Sequence, residues 1–564
     1  MNIIIGGAWP YANGSLHIGH LAGLLPGDVL ARYFRAKGDS VYYVSGSDCY
    51  GTPVALRARR EGTTPRALSD RYHEEFTAVF RRLGFSYDHY GKTSDPEHIA
   101  FVQDFHRRLY RSGYVHEQTA PQAVCPHCGR AVPDRYVAGT CPQCGGPARG
   151  DQCDACGAVL EAEGLVEPRC AECGGPVSFE PTAQLVFALT RLKGALRAYA
   201  AGRPGWRRNA AAVTSRYLDE GLRDRAITRN LDWGIPVPDG VNDEAADDQP
   251  GRKIYIWAEN VLGYLSGTAA VARERGLSLR EVWNSADSFH YYVHGKDNIP
   301  FHTIILPALL LTEREWAHLP DEIVSSEYLT LEGEKISTSR GWAIWVKDIA
   351  WRYQPDALRY FFLANGPEKR DVDFSWREFV EQNNSELLGG YGNFIHRTLS
   401  FLLRYGGGRV PGGAFDPEIR QEIEAAFPAV GRLIEKARLR DALGAIFMLV
   451  RRGNRYFDGQ QPWKTREEAP ERCADALFTC VQLAANLSVL FRPFLPFSSE
   501  SVAGWLGLSA EWRTQEVPAG FLLPETVAPL FGRLDKAVAE EETARLAACE
   551  KATKTAVSAV DNFS

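Results

Sequence analysis

A chain of 564 residues and 62.7 kDa exceeds the size at which one hydrophobic core usually stops growing, so several domains are expected. With 45% hydrophobic and 24% charged residues, it is neither disordered, collagenous nor low-complexity. The net charge of −6, from 64 basic and 70 acidic side chains, excludes a protein that coats nucleic acid by overall charge and leaves room only for local contacts.

The opening MNIIIGGAWPYANG has no basic leader, and no apolar run approaches the roughly 20 residues of a spanning helix. Neither a targeting peptide nor a membrane partner is expected, and the location reads as cytoplasmic. Residues 2–5 read as a buried strand, with a loop through Gly6, Gly7 and residues 10–14. Residues 17–36 carry an apolar-periodic helix ending near Gly38, and 41–44 a second strand. That order predicts an α/β fold with a Rossmann-type doubly wound parallel sheet.

Residues 65–115 read as helical. From about 116 to 180 the composition turns to Cys, Gly and Pro, the mark of a small inserted module. Helical signal returns over 185–222. The segments ITRNLDWGIPVP, KIYIWAENVLGYL and FHYYVHGKDNIPFHTIILPALL then look like the sheet resuming. Beyond Trp376 the pattern is helical to Leu534, broken at 406–413 and near Pro462 and Pro493. A long surface helix closes the chain.

Eight of the twelve cysteines form four Cys-x-x-Cys pairs: Cys125/Cys128, Cys141/Cys144, Cys153/Cys156 and Cys170/Cys173. Each pair offers two thiolates at the bite of tetrahedral zinc, so two closed, structural Zn²⁺ sites are predicted. Four successive pairs in a Gly/Pro-rich insert do not make a thioredoxin-like redox motif, and an iron–sulfur reading fits less well. Spacing alone permits adjacent or nested pairing.

Two segments carry phosphate chemistry. In Tyr11-Ala-Asn-Gly-Ser-Leu-His-Ile-Gly-His20, His17 and His20 share one face of a helix's first turn, where the backbone already favours anions. Gly19 between them leaves room for a flat ring. In Glu332-Gly-Glu-Lys335-Ile-Ser-Thr-Ser-Arg340-Gly341, a polar loop offers one lysine and three hydroxyls to a developing pyrophosphate. Taken singly, the histidines read as a helix cap and the loop as a solvated turn.

Together, in this order and about 315 residues apart (His20 to Lys335), they resemble the HIGH and KMSKS signatures of class I aminoacyl-tRNA synthetases. Over nearly the whole chain the resemblance is nearest to the methionyl family, through AWPYANGSLHIGH, SGSDCYGTPV, ITRNLDWGIPVP, HGKDNIPFHTIILPA and DALRYFFLANGPEKRDVDFSW. It implies ATP-dependent activation of L-methionine, with Mg²⁺, and transfer to tRNA(Met) for initiation and elongation. The insert is too small for the editing domain of larger relatives. The chain stops soon after PLFGRLD, without an appended dimerisation domain, which implies a monomer.

The resemblance carries roles to individual residues. His17, His20, Lys335 and Arg229 would be catalytic. Tyr11, Gly19, His20, Lys335, Ser337, Thr338 and Ser339 would hold ATP. Ala8, Trp9, Tyr11, Asp48, Trp257, Asn260, Tyr264, Asn298 and His302 would form the amino-acid pocket, with Asp48 on the α-ammonium and aromatics around the thioether. Asn393, Arg397 and Trp463 would read the anticodon. The resemblance also favours nested metal sites, with Cys141, Cys144, Cys153 and Cys156 inside.

The implied organisation is a first catalytic half-sheet (1–115), the connective insertion (116–225) and the second half-sheet (226–325). A stem-contact region with the KISTS loop (326–375), an anticodon-binding helical domain (376–540) and a terminal helix (541–564) follow. Several positions depart from the family pattern. Glu259-Asn260 replaces Asp-Ala, placing an amide in or at the rim of the side-chain pocket, and Leu306 stands where an aromatic is common. Cys49 replaces an acidic or small residue, and Thr338 replaces the second lysine of the loop signature. These changes motivate two alternatives: a resistant or altered-specificity paralogue charging the same tRNA with another amino acid, and a non-catalytic tRNA-binding paralogue.

Overall fold

The computed structural model describes residues 1–150, 153, 156, 158, 160–238, 251–313, 316 and 318–561, with side chains to Thr555. Its centre is a five-stranded parallel sheet. The elements that build it are β1 (Asn2–Gly7), α1 (Ile18–Lys37), β2 (Ser40–Ser47), β3 (His89–Lys92), α2 (Gly263–Glu274), β4 (Ser288–Gly295) and β5 (Glu322–Ser326). The strand order β5-β4-β1-β2-β3 places β1 in the middle. The sheet reverses direction of winding on either side of β1, so the crevice at its carboxyl end is where a ligand is expected.

Ile3, Ile4 and Ile5 are fully buried because both faces of a parallel sheet are covered. Ile3 and Ile5 face α1 and the helical half, whereas Ile4 faces α2 and the insertion. The sheet was expected to resume at ITRN and KIYI. Instead, Thr228–Leu231 and Gly251–Ile254 pair with each other as an antiparallel ribbon outside the central sheet, and the second strand also bridges Pro236. Of the three segments read as sheet, only FHYYVHG supplies a central strand.

The insertion leaves and re-enters on an antiparallel strand pair, Val115–Cys125 with Ser178–Phe187, matched over ten residue pairs. Short strands at Val137–Thr140, Pro147–Arg149 and Val166–Cys170 form a second small sheet beyond it. This lobe's buried cluster is small, and four cysteines, Cys125, Cys141, Cys153 and Cys170, stand in it beside alanines, valines and leucines.

Beyond β5 come α3 (Pro355–Ala364) and the helical half: α4 (Asn393–Tyr405), α5 (Leu439–Gln460), α6 (Pro462–Glu468), α7 (Pro470–Phe491) and α8 (Ala537–Asp561). By length and composition α7 could cross a membrane, contrary to the expectation that no segment could. Its apolar stretch is 89% buried in the helical half, so it is a core helix. Arg359 on α3 is fully buried and ties the layers together. Its guanidinium bonds Asp28 of α1 (2.6 Å), and also Leu83, Pro493 and Phe494 carbonyls.

Candidate active site and adjoining metal and tRNA sites

The start of α1 is closed by its own histidines. His17 caps the helix, its Nδ1 accepting the Gly19 N–H at 3.1 Å, while His20 Nδ1 accepts the His17 N–H at 3.1 Å. Each Nδ1 is therefore an acceptor, so each neutral ring carries its proton on Nε2. Burial pushes His17 down to about 2 and His20 down to about 4, so both are neutral at physiological pH. The result is a pair of Nε2–H donors, with ring centroids 3.9 Å apart, at a helix N-terminus. A Cβ on Gly19 would lie 2.9 Å from the His17 ring, so glycine is what allows the cap.

The second signature lies close by. Leu329–Leu331 and Glu334–Lys335 form a hairpin through Glu332 and Gly333, both with positive φ, as a two-residue primed turn requires. Ser337 and Trp342 then exchange two main-chain hydrogen bonds of 2.9 Å, closing the loop that holds Thr338, Ser339 and Arg340. Past the loop, the chain is bonded to the first signature. Ile18 N–H donates to the Ile344 carbonyl (3.1 Å) and Val346 N–H to the Leu16 carbonyl (2.7 Å).

Lys335 is exposed, 5.8 Å from the centre of the Tyr328 ring, and makes no ion pair among the described residues. Lys296 sits over the same ring at 3.7 Å but is paired with Glu327 and Asp371. The loop rests on α8, where Arg340 lies 3.8 Å from Glu550. A Cβ on Gly341 would sit 2.9 Å from the Cys549 carbonyl. The terminal helix, expected as a surface element, thus packs on the second signature.

The amino-acid pocket residues gather around β1, β2, β4 and α2. Tyr11 bridges Asp48 along the backbone, and Ala8 N–H donates to the Val293 carbonyl. Asp48 is 1% exposed, with its Oδ2 accepting from Asn260 Nδ2 at 3.2 Å. The Asn260 amide thus lies beside Asp48. Burial raises the Asp48 carboxyl above its ordinary range.

Tyr264 and His302, both buried, are bonded at 2.7 Å. His302 Nδ1 faces the Asn298 carbonyl (2.8 Å), so it bears the proton, and Nε2 accepts from the Tyr264 hydroxyl. Burial lowers His302 to about 4 and keeps it neutral. Trp257 is buried and donates to the Ala226 carbonyl, while the Trp9 ring lies 5.9 Å from that of His98. Leu306 is fully buried in the helix that follows a wide π-helical turn at Phe301–Ile305.

Arg229 is not brought to the histidines. Its guanidinium bonds Asp134 of the insertion (3.0 Å) and Gln184, and lies over the Tyr255 ring. Sequence reasoning missed Asp134, Tyr328, Lys296 and Glu259 as members of this neighbourhood. It also missed His98, whose Nε2 meets Glu259 Oε2 at 3.2 Å from a helix 161 positions away. Glu259 and Lys296 stand inside segments that carry the resemblance but were given no role there, and no local motif marks Asp134, Tyr328 or His98.

The cysteines form two groups, Cys125/Cys128/Cys170/Cys173 and Cys141/Cys144/Cys153/Cys156, each with all sulfurs within 4.8 Å of one another. This is the nested arrangement. Cross-pair Sγ–Sγ distances are 3.5 and 4.0 Å in the first group, and 3.9 and 3.6 Å in the second. Four sulfurs about 2.3 Å from a tetrahedral zinc would lie about 3.8 Å apart, so both groups fit that ion.

On the helical half, Arg397 of α4 lies over the rings of Phe457 (4.5 Å) and Trp463 (6.0 Å), and is paired with Asp458 at 2.7 Å. Asn393, one turn earlier, bonds Asn454. Trp463 opens α6 and is 42% exposed. The three residues expected to read the anticodon thus share one surface.

Comparison with known proteins gives consistent matches. Residues 3–399 match the family described as tRNA synthetases class I (M), and residues 408–547 the anticodon binding domain of methionyl tRNA ligase. The methionine–tRNA ligase of Bacillus cereus (strain 03BB102) is 49% identical over 554 residues, covering 97% of this chain and 99% of the relative. That of Bacillus mycoides (strain KBAB4) is 48% identical over 550 residues, covering 97% and 99%. The fold is similar to Mycobacterium tuberculosis methionyl-tRNA synthetase in a crystal structure with methionyl-adenylate. The TM-score is 0.78 at 23% identity, over 94% of this chain and 100% of that one.

Proposed function

The chain belongs to the methionyl-tRNA synthetase family of class I, and on that premise we propose that its own residues divide the ligation of methionine to tRNA as follows. The reaction has two steps: ATP activates the methionine carboxylate as an adenylate, and the aminoacyl group passes to tRNA(Met). In the first step the carboxylate attacks the α-phosphate in line and pyrophosphate leaves. His17 and His20 present fixed Nε2–H donors to phosphate oxygens, and Lys335 brings a full charge to the departing pyrophosphate. Mg²⁺ enters with the nucleotide and neutralises part of its charge. No covalent enzyme intermediate is required, because positioning and electrostatics supply the rate.

Asp48 takes the α-ammonium, and the wall of Trp9, Tyr11, Trp257, Tyr264 and His302 takes the side chain. Because the Tyr264 proton is directed to His302, the thioether is held by contact with polarizable rings. Tyr11, Gly19, Ser337, Thr338 and Ser339 would line the nucleotide, with Ala8 and Asn298 as backbone walls. For Arg229 to reach substrate, its bond with Asp134 must open.

Trp463 offers a ring for stacking an unpaired base, with Asn393 and Arg397 beside it to read base edges. The two sulfur groups would each hold a structural Zn²⁺ and fix the insertion; metal analysis should find two zinc ions per chain. A monomer acting in the cytoplasm, divided at the boundaries given above, completes the reading.

The observation that carries it is the main-chain pairing of residues 16–18 with 344–346, which holds the two phosphate-handling segments side by side. The altered-specificity and non-catalytic alternatives are not favoured: Asn260 is engaged at Asp48, and His17, His20 and Lys335 are all present. The test is amino-acid-dependent ATP–pyrophosphate exchange across a panel of amino acids, followed by charging of tRNA(Met). Selective exchange with methionine is expected; exchange with another amino acid alone would overturn the assignment.

A further inference from the structure

We propose that Glu259 is a second carboxylate of the amino-acid site, which together with Asp48 and the Asn260 amide oxygen holds the substrate's α-ammonium. This rests on the preceding reading that an amino acid binds at Asp48. Glu259 sits between two short turns, Ile256–Ala258 and Asn260–Leu262, and is 1% exposed. Its Oε2 is bonded to His98 Nε2 at 3.2 Å, and His98 Nδ1 meets Ser266 Oγ at 2.9 Å.

Among the described residues its Oε1 has no partner, and neither has Asp48 Oδ1 nor Asn260 Oδ1. The Asn260 amide nitrogen is spent on Asp48 Oδ2, and the Asp48 carboxylate also takes the Tyr50 N–H. Three buried acceptor oxygens thus lack a donor: two belong to adjacent residues, and the third belongs to the carboxylate that those residues' amide already bonds.

Buried acceptors are normally satisfied, and leaving each one bare costs free energy. An ammonium has three N–H donors and the opposite charge, so one such group would satisfy all three. A neutral hydroxyl would satisfy only one and leave two carboxyls buried together. The electrostatics agree: burial, then the nearby Asp48 carboxyl, pushes Glu259 above its ordinary range. Once the ammonium is bound, one net negative charge remains, shared over oxygens beside the Asn260 Nδ2–H and the His98 ring. His98 is held neutral by burial, so it fixes the carboxylate's orientation without cancelling its charge.

The test uses the full chain in ATP–pyrophosphate exchange. Glu259→Gln should raise the KM for methionine about tenfold or more, with the KM for ATP changed less than twofold. The 2-hydroxy analogue of methionine, which lacks the ammonium, should inhibit wild type and variant equally, whereas a merely structural defect would weaken both ligands. An unchanged methionine KM, or equal weakening of methionine and the hydroxy analogue, overturns the proposal. Should Glu259→Gln fail to fold, Glu259→Asp withdraws the charge by one methylene, and the same outcomes apply. Because every amino acid carries the ammonium, the effect should follow whichever amino acid the wild type activates, so it is separable from failure of the methionine assignment.

Discussion

The two signature segments solve the same problem, charge near phosphate, by opposite means. The first is rigid: His17 and His20 are half-buried, cap a core helix and hold each other's backbone, so their donors are set once the chain has folded. The second carries its charge outside the core. Lys335 stands on a hairpin strand, but its side chain is exposed without an ion pair among the described residues. The loop beyond it is closed by the Ser337–Trp342 hydrogen bonds, with only longer contacts, 3.3 and 3.4 Å, inside it. Fixed dipoles suit a phosphate that stays put, whereas a charge on a long exposed side chain can follow one that leaves.

The sharpest way to break this contrast is Lys335→Ala. It should lower the exchange rate by about 10²–10³-fold, as loss of a charge aimed at the transition state does, while leaving the thermal midpoint unchanged. Gly19→Ala should do the reverse in kind. Its Cβ, 2.9 Å from the His17 ring, should cost stability by about 1–3 kcal/mol and reduce exchange together, measured by denaturant titration and kinetics.

A milder effect is expected on acidification. The His20 ring titrates at about 4 when folded against 6.5 ordinarily, so between those values the unfolded chain binds a proton that the folded chain does not. Its contribution is therefore complete above pH 6.5 and lost as pH falls toward 4. Other buried histidines share that window, among them His98, His106 and His302, so His20→Gln should lessen the fall of the thermal midpoint across it without abolishing it. Least of all, Arg340→Ala removes exposed ion pairs with Glu334 and Glu550 and should shift stability by less than about 0.5 kcal/mol. A large loss there would mean that the loop is anchored rather than free.

What could be read from the sequence follows from how local each signal is. The opening strand and helix were readable because His17, Gly19 and Gly38 cap and end the helix with their own neighbours. The cysteines announced a metal module, but spacing left the pairing open; the small sheet at 137–170 brings the pairs together in nested order. The ribbon at Thr228–Leu231 was misread as part of the central sheet because a strand's own residues do not say which strand it pairs with. Likewise α7 looks the same on paper whether lipid or protein covers it. His98 against Glu259, Asp134 against Arg229 and α8 against the loop are meetings of distant segments, and no periodicity encodes them.

The strand pair that carries the insertion also has a mechanical meaning. Ten matched residues at about 3.3 Å each make a stalk of about 33 Å. On such a lever, a tilt of about 5° at the root moves the tip by about 3 Å, a distance that separates contact from no contact. The hydrogen bond from Ala188 to Tyr114 at the base therefore bears on where the cysteine-bearing lobe points, and the Arg229–Asp134 pair is a second tie between that lobe and the ribbon beside the sheet.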